Sequence, residues 1–184
     1  MPTEYHLYTA DEEPAEIADL IEAARPDRWA LRIASESEDW TLCDWRTDWL
    51  LGDLHYAVGC PVGSPFRREV WERFDRRDLA AIRQSYECEE WGMCRIEFQW
   101  PYSLAVDMTE ADIRLIRDRD GDEVLNGLFL SKGRYVLSIP ETANRQSYDL
   151  LPAVASALGR VTGGVVCNVR SGDRVATRGW WHLG

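Results

Sequence analysis

The chain reads as a single α+β domain over residues 1–184, mainly an antiparallel sheet with helices packed mostly on one face. Three observations predict this. Strand-like alternation and helix-like spacing occupy separate blocks along the chain. The 184 residues suit one domain and show no linker. A composition that is 45% hydrophobic and 29% charged is ordinary for a globular chain and excludes disordered, collagen-like and low-complexity classes.

Glu4 to Thr9 alternates, with Tyr5, Leu7 and Thr9 on one side, and predicts an opening strand. Beyond Pro14, Ile17, Leu20, Ile21 and Ala24 recur at helical spacing until Arg25-Pro26 stops the pattern. Trp29 to Ala34 alternates again as a second strand, so the amino end reads β-α-β. Residues 35–63 show no clear period: an acidic run leads into three Asp-Trp pairs, then into a stretch through Gly59, Pro61 and Gly63. Ser64-Pro65 predicts a helix opening, with Ser64 as cap and Pro65 pre-set for the first turn. Phe66, Val70 and Phe74 then share a face, and Asp75 to Asp78 is a point of restart before Leu79, Ile82 and Tyr86.

Arg95 to Trp100 predicts a strand with Ile96, Phe98 and Trp100 facing one way, ended by Pro101. Thr109 and Asp112 have the spacing of a capping pair for a helix through Ile113 and Ile116, although Ile113 and Leu115 also suit a strand. Asp120-Gly121 reads as a turn, Leu125 to Leu130 as a strand, Lys132-Gly133 as a tight hairpin turn and Tyr135 to Ile139 as the returning strand. Tyr148 to Leu158 is a final helix closed by Gly159, and Val165 to Val169 a strand after Gly163-Gly164.

The net charge of −11 is unevenly spread. Residues 1–66 hold 14 acids and 4 bases, residues 67–123 hold 15 and 10, and residues 124–184 hold 3 and 7. Such a chain is repelled by nucleic acid at long range, so direct DNA or RNA binding is not expected. The same field speeds encounter with a basic partner, including a protein that itself binds nucleic acid; equally, acidity serves solubility. Of the 21 bases only Lys132 is lysine, which suggests a GC-rich bacterial genome. Five cysteines without a CxxC pair, and a start that lacks the basic-then-apolar pattern of a signal peptide, lead us to expect reduced thiols in a cytoplasm. The longest apolar runs, such as Leu128 to Leu130, are far short of a membrane span, so a soluble protein is expected.

The search for catalytic patterns is negative. His6, His55 and His182 are scattered, with no HExxH, no G-x-S-x-G elbow and no phosphate-binding loop. Cys43, His55 and Cys60 match no recurrent zinc spacing and read as buried cysteines. Asp118, Asp120 and Asp122 around Gly121 miss the register of a calcium loop. No cofactor or metal is expected. An enzyme with a site assembled from separated residues stays open as an alternative, with Cys60, His55 and the Asp118 to Glu123 turn as places to look; a structural or assembly module is another.

One segment stands out. Asp39-Trp40, Asp44-Trp45 and Asp48-Trp49 place three acid–indole pairs within residues 39–49, and Asp53 follows. A helix over Thr41 to Leu51 would put Trp45 and Trp49 on one face. Tryptophan is enriched at binding hot spots because it buries a large area with few rotors, and adjacent carboxylates can pair with basic groups. These seven residues are the candidate partner-binding set; the competing reading is that the indoles are core and the aspartates solvated.

The acidic first third, the Asp-Trp segment 39–49, the pairs Trp180-Trp181 and Glu90-Trp91, and the lack of catalytic patterns together resemble small cytoplasmic immunity proteins of bacterial polymorphic-toxin and contact-dependent inhibition systems. That resemblance implies a non-catalytic, single-domain inhibitor that binds and occludes a cognate toxin with a cationic surface.

Overall fold

Alternation along Glu4–Thr9 puts Tyr5 and Leu7 on one face of a strand, β1, and both of its edges are paired: Leu7 lies opposite Tyr135 on one side and Val166 on the other. The computed structural model describes residues 4–36, 41–46, 48–50, 54–170 and 178–182. The remaining elements are α1 (Ile17–Ala23), β2 (Trp29–Ser35), β3 (Thr41–Leu42), β4 (His55–Pro61), α2 (Arg67–Asp75), α3 (Leu79–Glu87), β5 (Gly92–Gln99), α4 (Glu110–Asp120), α5 (Asp122–Leu130), β6 (Gly133–Ser138), α6 (Arg145–Thr162), β7 (Val165–Val169) and β8 (Trp180–His182). The strands form one antiparallel sheet in the order β3-β2-β4-β5-β6-β1-β7-β8. This is the α+β architecture the sequence predicts.

Strand periodicity decides what each face carries. On one face Leu7, Leu31, Ile33, Ala57, Ile96 and Leu137 pack under α1 and α6. On the other, α2 and α3 cover Val58, Cys60 and Met93, while α4 and α5 cover Tyr8, Val165, Cys167 and Trp180. Four of the six helices therefore share one face, in two pairs, and the longest helix lies on the opposite one. Between the two pairs runs a strip of Glu4, Arg95, Glu97, Gln99, Arg134 and Val136, none of them buried.

Several local expectations need correction. Strand β4 falls inside residues 35–63, where no period was visible, because six of its seven residues are buried and alternation vanishes. Gly59 within it is a packing requirement: a Cβ there would lie 2.7 Å from Leu150 Cδ1 on α6. The expected strand Leu125 to Leu130 is the helix α5, so no hairpin turns at Lys132-Gly133. A short apolar run does not distinguish the two, and here Val124, Leu125 and Leu128 form a helical stripe against the sheet. Gly127 lets that helix come close, since a Cβ there would collide with Val165 Cγ2. Trp100 lies past the end of β5 and is exposed. Gly159 is inside α6, which runs to Thr162 and ends on Gly163 at φ 61°. Ser64 accepts from the Phe66 N–H at 3.3 Å in a turn just before α2.

Side-chain caps open three of the helices, and α6 begins at Arg145, ahead of the expected Tyr148. The Thr109–Asp112 capping box is complete, and Asp78 caps α3 by accepting from the Ala81 N–H at 3.1 Å. Asn144 has the largest local role. Its Oδ1 accepts from the Ser147 N–H at 2.9 Å, and its Nδ2 donates to the carbonyls of Tyr86 at 2.9 Å and Trp91 at 2.8 Å. One side chain thus starts α6 and ties it to the α3–β5 connection. Asn144→Ala is expected to cost about 2–4 kcal/mol, against about 1 kcal/mol for a cap alone, because two carbonyls lose their donor. Urea denaturation checks this; a loss of about 1 kcal/mol or less would show that water replaces both contacts.

Candidate partner-binding site

The described parts of the Asp-Trp segment, residues 43–46 and 48–50, form a loop held at both ends. At one end the Cys43 N–H donates to the Ile33 carbonyl at 2.7 Å. At the other, Leu50 is buried and its N–H donates to the Ala15 carbonyl at 3.1 Å. Between them Glu16 and Trp49 form an antiparallel bridge, with the Ile17 N–H reaching the Asp48 carbonyl at 3.4 Å.

Among the described residues of Thr41 to Leu51 the expected helix does not form; Thr41–Leu42 is β3, and the two aspartates make a turn after it. The Asp48 N–H donates to the Asp44 carbonyl at 2.9 Å, Asp48 Oδ2 accepts from the Asp44 N–H at 2.7 Å, and Asp44 Oδ1 accepts from the Arg46 N–H at 3.0 Å. Both carboxylates therefore brace the loop. Trp45 and Trp49 are 45% and 40% exposed, so neither indole is sealed in the core. The Arg46 guanidinium sits 5.2 Å from the Trp45 ring centroid. Asp39, Trp40 and Asp53 lie outside the described residues.

The structure adds partners that the sequence reading did not assign to the site. Trp49 lines a groove of about 450 Å³ together with Asp11, Glu12, Glu13, Glu16 and Asp19. Asp19 and Glu22 continue the acidic lining past Val161. The groove also receives Val161 and Thr162 from the last turn of α6, whose carbonyl end carries partial negative charge. Among these acids Glu12 pairs with Lys132 at 2.7 Å, and that hydrogen bond holds its carboxyl below the usual range. The available signal was the three-residue spacing of Glu13, Glu16, Asp19 and Glu22. Their meeting with Trp49 depends on a bridge between distant segments, which spacing does not reveal.

The places singled out for an enzyme do not converge. Cys60 and His55 point to opposite faces of β4, and burial pushes the Cys60 thiol up to about 12, far from a nucleophile's range. Asp120 pairs with Arg119 at 2.6 Å and Asp122 with Arg117 at 3.3 Å, at the junction of α4 and α5. No group of metal-ligating side chains occurs among the described residues.

A polar chain runs from Glu4 on the open sheet strip to the buried His6 and Tyr8. Arg178 donates to the Tyr8 hydroxyl at 3.2 Å, Tyr8 lies 3.2 Å from His6 Nδ1, and His6 Nε2 meets Glu4 Oε1. Burial pushes Tyr8 up to about 12, so it stays a phenol that donates to His6, leaving Nε2–H for Glu4. Neighbouring Cys167 is likewise pushed up to about 12 by burial. The chain pairs the Tyr8 hydroxyl and both His6 ring nitrogens and contains no activated nucleophile. Its sequence signal was the other side of β1, where Glu4, His6 and Tyr8 alternate with the apolar residues.

Comparison with known protein families, with characterised proteins and with solved structures returns no match to this chain. The site therefore stands on its geometry alone.

His6 gives a pH test of the polar chain. Burial, then the charges of Arg134 and Arg178, lower its pKa, against an opposing contribution from Glu4. The folded state therefore binds a proton less readily than the unfolded state, whose histidine titrates near about 6.5. Stability from this group is present above about pH 6.5 and is lost as pH falls below it, with a slope of up to about 1.4 kcal/mol per pH unit. His6→Gln is expected to flatten unfolding free energy between about pH 6.5 and 5. An unchanged slope in that window would show that His6 does not carry it.

Proposed function

We propose that the chain is a non-catalytic, immunity-type protein of the bacterial cytoplasm that binds and occludes a cognate protein toxin with a cationic surface. The observation that carries this reading is the convergence of Trp49 with the acids of residues 11–19 in one groove, next to a second half-exposed indole, Trp45. The acids supply the field that steers a basic partner, and the indoles supply area that becomes buried on contact. Because Asp44 and Asp48 already hold the loop turn, docking orders little additional chain, which limits the entropic cost of binding. The basic surface of an enzyme that attacks nucleic acid is complementary to such a groove, while nucleic acid itself is not. No helix among the described residues is long and apolar enough to cross a membrane, and the five cysteines remain thiols, in keeping with a reducing compartment.

Co-expression with the product of the neighbouring gene tests the pairing: rescue of growth and co-purification are expected. With that partner, Glu13→Lys, Glu16→Lys and Asp19→Lys combined are expected to slow association about tenfold or more at low salt and to flatten its salt dependence. Trp49→Ala is expected to speed dissociation about tenfold or more while the fold, followed by circular dichroism, is kept. Association that ignores the charge reversal would overturn the reading.

A further inference from the structure

A second surface has the opposite charge. Among the described residues β3 pairs only with Ala34 and Ser35 of β2, and the Cys43 N–H donates to the Ile33 carbonyl. Strand alternation then turns the main chain of Leu31 and Trp29 toward the same outer side, where the Trp29 N–H donates to the Ala24 carbonyl at 3.4 Å and the Trp29 carbonyl and the Leu31 main chain face outward. Among the described residues no strand continues along them. Edges of this kind are templates for another chain.

Beside this open edge lies a groove of about 670 Å³. Ile21 and Arg25 form its wall on the α1 side of the sheet, and Arg67, Arg68 and Trp71 form it on the α2 side. Arg32 completes a set of four guanidiniums in a chain whose net charge is −11. Arg25 and Arg68 have exposed helical partners, Glu22 at 3.2 Å and Glu72 at 2.9 Å. Arg32 and Arg67 make no ion pair among the described residues. Arg32 instead lies 5.5 Å from the Trp71 ring centroid and donates from Nη1 to the Leu31 carbonyl at 3.1 Å, so its guanidinium covers the edge acceptor that a new strand would use.

We propose that β2 is a docking edge for an extended acidic segment of a partner protein, which adds as a strand along Trp29–Leu31. An incoming N–H replaces the Arg32 guanidinium at the Leu31 carbonyl, and that guanidinium turns to an incoming carboxylate. Each polar group exchanges one partner for another, so the edge is occupied without leaving a buried group unsatisfied. Alternate side chains of the guest face the two walls. Carboxylates suit the α2 side, where Arg32, Arg67 and Arg68 gather, and apolar residues suit the α1 side beside Ile21 and Trp29. Some three guest residues, about 10 Å of strand, span the edge. A second copy of β2 is a poor occupant, because two such edges would bring like-charged arginine sets together.

The test uses the full chain and an end-blocked, fluorescein-labelled heptapeptide of alternating glutamate and valine, read by anisotropy. The peptide is expected to bind, and a version with lysine for glutamate is not. N-methylation along one edge of the peptide is expected to weaken binding about tenfold or more, whereas N-methylation along the other edge leaves it unchanged, because only one edge bonds to β2. Arg67→Glu, at an exposed position, is expected to weaken binding about tenfold or more with an unaltered circular dichroism spectrum. Three outcomes would overturn the proposal. One is equal effects of the two N-methylated peptides. Another is a single-stranded oligonucleotide that binds with the same Arg67 dependence while the peptide does not. The last is a dimer that Arg67→Glu dissociates.

Discussion

Helix α6 lies so close to the sheet that a methyl group at Gly59 or Gly92 would collide with it, at 2.7 Å from Leu150 Cδ1 and 2.6 Å from the Gln146 carbonyl respectively. This seating buries Leu150, Leu151, Val154 and Leu158 completely, each worth about 1.5–3 kcal/mol relative to exposure. It also settles where chain can run. With α1 and α6 sealing one face, residues 11–16 and the loop 43–50 pass along the rim of that layer and meet there through the Glu16–Trp49 bridge. The acidic groove, floored in part by the last turn of α6, is a consequence of helix–sheet packing and not a separate module.

Net charge is an average over surfaces that behave differently. Salt screens interactions beyond roughly 8–10 Å, so the overall −11 governs approach while the local groups govern contact. Helix α1 stands between two such local environments. Asp19 and Glu22 face the acidic groove, and Ile21, with Arg25 just past the helix end, faces the arginine groove beside β2. A seven-residue helix thus separates surfaces of opposite sign. The sequence conveys the sum and its drift along the chain; it does not convey that arginines from residues 25, 32, 67 and 68 gather in one place, because they come from the stretch after α1, from β2 and from α2.

What was readable followed from local rules that tertiary contacts left alone. β2 and β5 each have one face packed differently from the other over most of their length, so alternation survives, and the Thr109–Asp112 box acts within four residues. β4 was hidden by the opposite circumstance: a strand covered on both faces has no alternation, and its Gly59 and Pro61 read as loop residues. α5 was misread because its stripe is short and its Gly127, a helix-weakening residue, is retained for close approach to β7. β8 has only three residues. At the site, the density of Asp-Trp pairs was visible, but the helix inferred from their spacing was not formed, and the acids that join Trp49 are brought there by pairing across some thirty residues of sequence.

The structure divides labour among the carboxylates in a way that spacing alone does not suggest. Asp44 and Asp48 accept main-chain N–H bonds within their own turn, so much of their acceptor capacity is spent on loop geometry. The acids of residues 11–19 are exposed and, apart from Glu12, form no ion pair among the described residues, so their charge projects into the groove. A charge that braces a loop affects how long a complex lasts, through the placement of Trp45 and Trp49; a charge that projects outward affects how fast it forms. Replacing Asp44 or Asp48 therefore perturbs shape and field together, whereas replacing Glu13 or Asp19 isolates the field. The two sets are distinguishable by kinetics even though the sequence presents them as one acidic region.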